Sequence, residues 1–228
     1  MLKLTPILLA LGYGLVMYLF SAFRLKQELN AQSTLLKDPR LMPLTQKMAD
    51  AIEVKEIPVH VYEIDPINGL AAPDGRIFIT RGFLKKFQAG EVSAEELASV
   101  IAHELGHVAL GHSRRRMIDF SAQNAMRVGL GLILSRIIPG LGAYIANFLA
   151  SMVMAGLSRK DEYEADAYAS ALLVKTGIGT APQKSLFEKL EALTGARSAQ
   201  VGWLMSHPKT TDRIEAIETL EAKWGLKA

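Results

Sequence analysis

The feature that most limits how this chain of 228 residues can fold is a run of five, His103-Glu104-Leu105-Gly106-His107. Its surroundings read as one buried helix from Ala94 to about Met117, with Leu97, Val100, Ile101, Leu105 and Val108 at helical spacing. A capping box, Ser93 as N-cap with Glu96 at N3, marks the start, and Val92 and Leu97 form a hydrophobic staple around it. Residues four apart on a helix lie about 40° apart round the axis, so both imidazoles face one way. They can share one metal ion, each about 2.0–2.1 Å from it. Glu104, about 100° further round, stands beside such an ion. There it can take a proton from a water whose pKa zinc lowers to about 7. The plainer explanation is a helix with two structural histidines and a surface glutamate, but polar groups in so apolar a helix need a partner.

A catalytic zinc needs a third protein donor and an open position. The metzincin pattern asks for Gly at position 110 and His at 113; this chain has Leu110 and Ser113, which excludes that class. His112 lies about 140° round from His107 and reads as structural. His60 and His207 could serve only from distant parts of the chain. A carboxylate is the better candidate. Glu162 and Asp166 are four apart near the start of a later helix and share a face, while Glu164 points away. Glu162 can be the third donor, and Asp166 can hold the outer nitrogen of a metal-bound histidine. The small Ala165 and Ala169 would let this helix approach another closely. The residues alone leave a second explanation equally open, because acids in a first helical turn also complement the helix dipole.

The N-terminus carries a different constraint. Leu4 to Phe23 has 20 residues without a charge, preceded by Lys3 and followed by Arg24 and Lys26. As a helix it spans about 30 Å, the thickness of a bilayer's hydrocarbon core. It reads as an uncleaved single-pass anchor over residues 1–26, since a signal peptide would have a shorter apolar run and an Ala-x-Ala site after it. Basic residues slightly favour the C-terminal flank, which places the remaining domain, 27–228, on the cytoplasmic side. Lys3 and the free amine nearly offset that bias, and the extracytoplasmic side stays open. Val128 to Leu157 is a second apolar stretch, broken by Arg136 and Pro139-Gly140. It reads either as a buried helical hairpin within 120–157 near the active site or as a segment dipping into the membrane surface.

Between these lie a helix near 41–54, a strand over 57–64, turns at Asn68-Gly69 and Pro73-Asp74-Gly75, a strand over Arg76–Thr80 and a short helix over 82–87. Ser158 reads as the N-cap of the helix that carries Glu162, closed by Gly177; helices near 182–194 and 211–223 follow. Strands are few and precede most of the helices, so the class is α+β, helix-dominated, with a small β element and an N-terminal membrane helix. The chain has no Cys, which excludes a disulfide framework, cysteine-ligated zinc, a thiol nucleophile and a lipid-modified cysteine anchor. A net charge of +3, without a cluster of basic residues interleaved with aromatics, argues against nucleic acid as a partner.

The run His103-Glu104-Leu105-Gly106-His107, a hydrophobic stretch, then Ser158-Arg159-x-x-Glu162-x-x-x-Asp166 resembles the HtpX-like membrane-associated zinc endopeptidases. These are gluzincins with a zincin-like metallopeptidase domain, related to the mitochondrial Oma-type and CAAX prenyl proteases. Asn68-Gly69-Leu70-Ala71 with Pro73-Asp74-Gly75-Arg76-Ile77 resembles the family's edge-strand element, and Ser206-His207-Pro208 with Arg213-Ile214 its C-terminal one. Gly69 stands where Ala is usual and Asp74 where Gly is usual, which touches substrate contacts rather than catalysis. The resemblance covers about residues 40–222. It implies one Zn2+ per chain held by His103, His107 and Glu162, with Glu104 as general base and Asp166 behind the ligands. It places His207 and Arg213 near the site, His207 either stabilising an oxyanion or closing the site. Asn68 and Arg76, Ile77, Phe78 and Ile79 belong to its presumed substrate strand. That strand alternates Ile77 and Ile79 inward with Phe78 and Thr80 outward, and as an exposed edge it would take a peptide by β-augmentation. The implied substrates are unfolded or membrane-associated polypeptides, cut in protein quality control at a bilayer. A catalytically silent metal-binding chaperone or adaptor is the alternative. Prenyl processing is not expected, because those relatives have many more spans than this chain can hold.

Overall fold

The computed structural model describes residues 5–116, 118, 136, 138, 141–194 and 209–226, with backbone alone for 5–11, 142–146, 148–157 and 191–194. The chain divides into two compact units, Met1–Ala31 with His112–Ser158, and Gln32–Gly111 with Arg159–Ala228. The first contains α1, Thr5–Ala31, which runs past the expected boundary at residue 26. Tyr13, Leu15, Val16, Leu19, Phe20 and Phe23 are exposed on it. The expected transmembrane anchor is not shown: among the described residues no helix is long and apolar enough to cross a membrane.

The second unit is a four-stranded sheet covered by helices. Its elements run β1 (Ser33–Leu35), α2 (Met42–Ala51), β2 (Val59–Tyr62), β3 (Gly69–Ala71), β4 (Ile77–Thr80), α3 (Arg81–Gln88) and α4 (Ala94–Ala109). After these come α5 (Gly142–Lys175), which starts in the first unit, α6 (Ala181–Thr194) and α7 (Thr210–Lys223). The sheet order is β1-β2-β4-β3, with β2 and β4 parallel and the other two pairs antiparallel. Val59, Val61, Ile77 and Ile79 form one core with Leu97, Val100 and Ile101 of α4 and with Phe187 and Leu190 of α6. The result is a helix-dominated α+β fold in which α4 packs directly on β3 and β4.

Local signals placed several boundaries. The capping box closes both ways: Glu96 N donates to Ser93 Oγ at 3.1 Å, and Ser93 N donates to Glu96 Oε2 at 2.8 Å. The Glu96 carboxylate also accepts from Lys189 and Ser185 of α6, so the cap doubles as a tie between helices. Thr80 ends β4 and starts α3: its hydroxyl donates to Asn68 O at 3.1 Å and accepts from Asn68 N and Phe83 N.

Three expectations are corrected. α4 stops at Ala109 rather than near Met117, because Gly111 takes φ of +70°, a left-handed conformation that ends helices and that glycine adopts without strain. Ser158 does not open a helix; it lies inside α5, where the backbone is already helical from Gly142. A serine cap is worth about 1 kcal/mol, too little to interrupt a helix whose hydrogen bonds continue on both sides. The segment Arg76–Thr80 is not an edge. β4 is paired on both sides and all four of its residues are buried, so Phe78 and Thr80 do not face outward; the edge beside it is β3. The hairpin expected within 120–157 lies mostly outside the described residues, and from Gly142 onward the backbone is one continuous helix.

Candidate metal centre

α4 carries His103 and His107 one turn apart, both buried, with their rings edge-on at 4.7 Å between centroids. Glu162 comes in from α5, fully buried. The donor groups of the three residues form a small triangle, with each Glu162 oxygen facing one histidine: His103 Nε2 to His107 Nε2 is 3.1 Å, His103 Nε2 to Glu162 Oε2 3.3 Å, and His107 Nε2 to Glu162 Oε1 3.5 Å. Three donors about 2.0–2.1 Å from one tetrahedral ion stand roughly 3.3 Å apart, so the triangle has the size a zinc ion requires. The donor chemistry agrees. Two imidazole nitrogens and a carboxylate converge on one point out of water, and such a set is stable only around a positive charge.

Behind the triangle, Asp166 fixes the tautomer. His103 Nδ1 donates to Asp166 Oδ1 at 2.9 Å, so Nε2 is the ring nitrogen that faces the other donors. Arg213 of α7, fully buried, clamps Asp166 with two bonds, Nη2 to Oδ1 at 2.6 Å and Nε to Oδ2 at 2.7 Å. Arg213 Nη2 also lies 3.4 Å from His103 Nδ1. Both of those nitrogens are donors here, so the productive bond is the one to the carboxylate. Below the guanidinium, the Phe187 ring of α6 lies 4.1 Å away.

The charges follow from this packing. Burial works against a charged Asp166, but the charge of Arg213 and its hydrogen bonds, joined by those of His103, outweigh it and hold the carboxyl down at about 2. Burial likewise opposes a charged His103, but hydrogen bonds to Asp166 and Glu162 and the Asp166 charge raise its imidazole to about 9, against the opposing charge of Arg213. In metal-free protein, then, a proton supplies the positive charge that the donors draw.

Glu104 is buried one residue beyond His103, and its carboxylate reaches β3. A Cβ added at Gly69 would stand 2.7 Å from Glu104 Oε1, so the edge strand passes directly beside this acid. That adjacency had no signal in the sequence beyond the departure at Gly69. The Phe187 platform was also missed, because Phe187 reads only as one more apolar residue on a helix. Asn68 pairs through its backbone with Thr80, next to the edge strand. Arg76 forms an ion pair with Asp74 at 2.9 Å and lies over the Phe78 ring. Ile77, Phe78 and Ile79 are interior residues of β4. His60 sits on β2 with its ring 5.2 Å from Phe78. Burial and the nearby Arg76 push its imidazole down. His112 is buried. His207 lies outside the described residues.

Two histidines and one acid around one point, with a further glutamate beside the histidines on the same helix, form a group that could hold a metal ion, and the similarity of the chain to known proteins makes the chain a metalloprotease, an enzyme that acts on polypeptides. The chain belongs to peptidase family M48, whose profile matches residues 35–221. It is 30% identical to "Metalloprotease LoiP" of Escherichia coli (strain K12) over 82% of this chain and 72% of that protein. It is also 30% identical to "Protease HtpX" of Pseudomonas paraeruginosa, over 63% of this chain and 58% of that protein. The similarity to "Mitochondrial metalloendopeptidase OMA1" of Schizosaccharomyces pombe is 27% over 70% of this chain and 45% of that protein.

Proposed function

We propose that the metal is zinc, held by His103, His107 and Glu162, and that the enzyme is an endopeptidase whose general base is Glu104. The observation that carries this reading is the donor triangle of 3.1 to 3.5 Å with Glu104 beside it on the same helix. When bound, the ion would act as a Lewis acid and lower the pKa of a water to about 7. Glu104 accepts the proton of the attacking water and passes it to the leaving amine. Asp166 and Arg213 act through His103, holding its ring and tautomer in place. By family resemblance alone, His207 stabilises the developing oxyanion.

The substrate strand anticipated at Arg76–Ile79 passes instead to β3. Asn68 and Ala72 bond to β4 through Thr80 and Arg76, so Gly69 and Ala71, at alternate positions, turn their backbone groups away from it. A peptide extended along that outer side would run past Glu104. Recognition through backbone bonds suits unfolded polypeptides, as expected for a quality-control protease. The exposed Leu15, Val16, Leu19, Phe20 and Phe23 of α1, followed by Arg24 and Lys26, support attachment to a membrane surface. The deciding experiment is Glu104→Gln. Cleavage of an unfolded polypeptide should fall about 10²- to 10⁴-fold while one zinc per chain is retained. Cleavage at the wild-type rate would mean that Glu104 is not the base and that the chain works by another mechanism.

A further inference from the structure

Zinc chemistry sets no residue type at the fourth position of a His-Glu-x-x-His run. Here that position is Gly106, and the reason lies in the neighbouring helix. A Cβ added at Gly106 would stand 3.0 Å from the Ala165 carbonyl oxygen, 3.1 Å from Ala165 Cα and 3.3 Å from Tyr168 Cβ. Two of these atoms are backbone and cannot rotate away. The contact also has a fixed place among the functional groups. Gly106 is three residues after His103 and one before His107; Ala165 is three after Glu162 and one before Asp166. The two helices therefore touch between the paired groups that each contributes.

We propose that Gly106, against Ala165, is the positioning residue that sets the size of the metal-binding triangle. Carbon atoms in ordinary contact lie about 3.5–4.0 Å apart, so a methyl group at 106 must push α5 away by a few tenths of an ångström. A metal site tolerates departures of only about 0.2 Å in its bond lengths. Glu162 is fully buried and has little room to recover the lost reach by changing rotamer. The same displacement would draw Asp166 back from His103 Nδ1, now 2.9 Å away.

The inference rests on the zinc reading above, and its test separates the two. Zinc affinity is measured by competition with a chelator on folded Gly106→Ala, on wild-type protein, and on Val61→Ala, a core variant of β2 that costs stability without touching the centre. Gly106→Ala should bind zinc about 10- to 100-fold more weakly, and its visible spectrum with Co2+ in place of zinc should change in position and intensity. Val61→Ala should keep the wild-type affinity and spectrum. Equal affinity and an unchanged Co2+ spectrum in Gly106→Ala overturn the positioning role alone. Wild-type protein that takes up no zinc overturns the metal reading, and this inference with it. Should Gly106→Ala not fold, Ala165→Ser, which adds one atom at the fully buried residue facing Gly106, is held to the same outcomes.

Discussion

The two halves of the metal centre reach the same end by different means. The α4 half is local. Its helix is started by its own capping box, stopped by its own glycine, and presents both histidines by helical spacing alone. The α5 half is assembled from afar. Its acids lie deep inside a helix of 34 residues with no cap near them. Asp166 keeps its charge chiefly through Arg213, which arrives from α7 and rests on Phe187 of α6, with His103 adding to it. A local half can form as soon as its helix does; an assembled half exists only when the whole unit has folded. In the proposed function the division also separates roles: α4 would supply two ligands and the base, while α5 would supply one ligand and the group that orients a histidine.

The sharpest way to break this comparison is to remove the proposed α5 ligand. Glu162→Ala should abolish stoichiometric zinc uptake, read by metal analysis after gel filtration, and leave the α4 helix folded. Tight zinc binding by that variant would show that the α4 half suffices without α5. Next in size is Arg213→Leu. It strands the buried Asp166 carboxylate, and chemical denaturation should report a loss of about 3–5 kcal/mol. Zinc affinity should weaken about 10- to 100-fold as His103 loses its fixed partner. Unchanged affinity in a folded Arg213→Leu protein would make the clamp purely structural.

A third test uses pH on metal-free protein. The His103 imidazole is raised in the folded state to about 9, above its ordinary value of 6.5. Its contribution is therefore fully present below about pH 6.5 and is lost as pH climbs through 9. Asp166 is held down to about 2, from 3.8, so its contribution persists above about pH 3.8 and disappears as pH falls through 2. Metal-free protein should thus lose stability between pH 6.5 and 9. With zinc bound the slope over that window should flatten, because the ion replaces the proton. A denaturation series showing the same slope with and without zinc would contradict this. The smallest effect belongs to the α4 half: Ser93→Ala should cost about 1 kcal/mol and leave zinc affinity where it was.

The capping box, the buried face of α4 and the spacing of His103, Glu104 and His107 are written in contiguous residues, and each survives folding unchanged. Glu162 and Asp166 were legible as a pair sharing a helical face, but their spacing alone served a dipole argument as well as a ligand argument. Strand order was not legible. Ile77 to Thr80 alternates weakly, and β3 and β4 are too short for their composition to say which is interior. Ser158 misled because a capping preference describes where helices prefer to begin, not whether one is already under way.

Sequence by itself therefore determined a capped helix with two histidines and a glutamate in register, and an acidic pair able to complete the site. These depend on interactions within about one helical turn, which the chain carries wherever it goes. Only the tertiary structure decided that Gly106 meets Ala165, that β3 rather than β4 passes Glu104, and that Arg213 and Phe187 support Asp166. Those contacts join residues far apart in the chain. Their geometry comes from how the helices and sheet pack, a property that no single segment encodes.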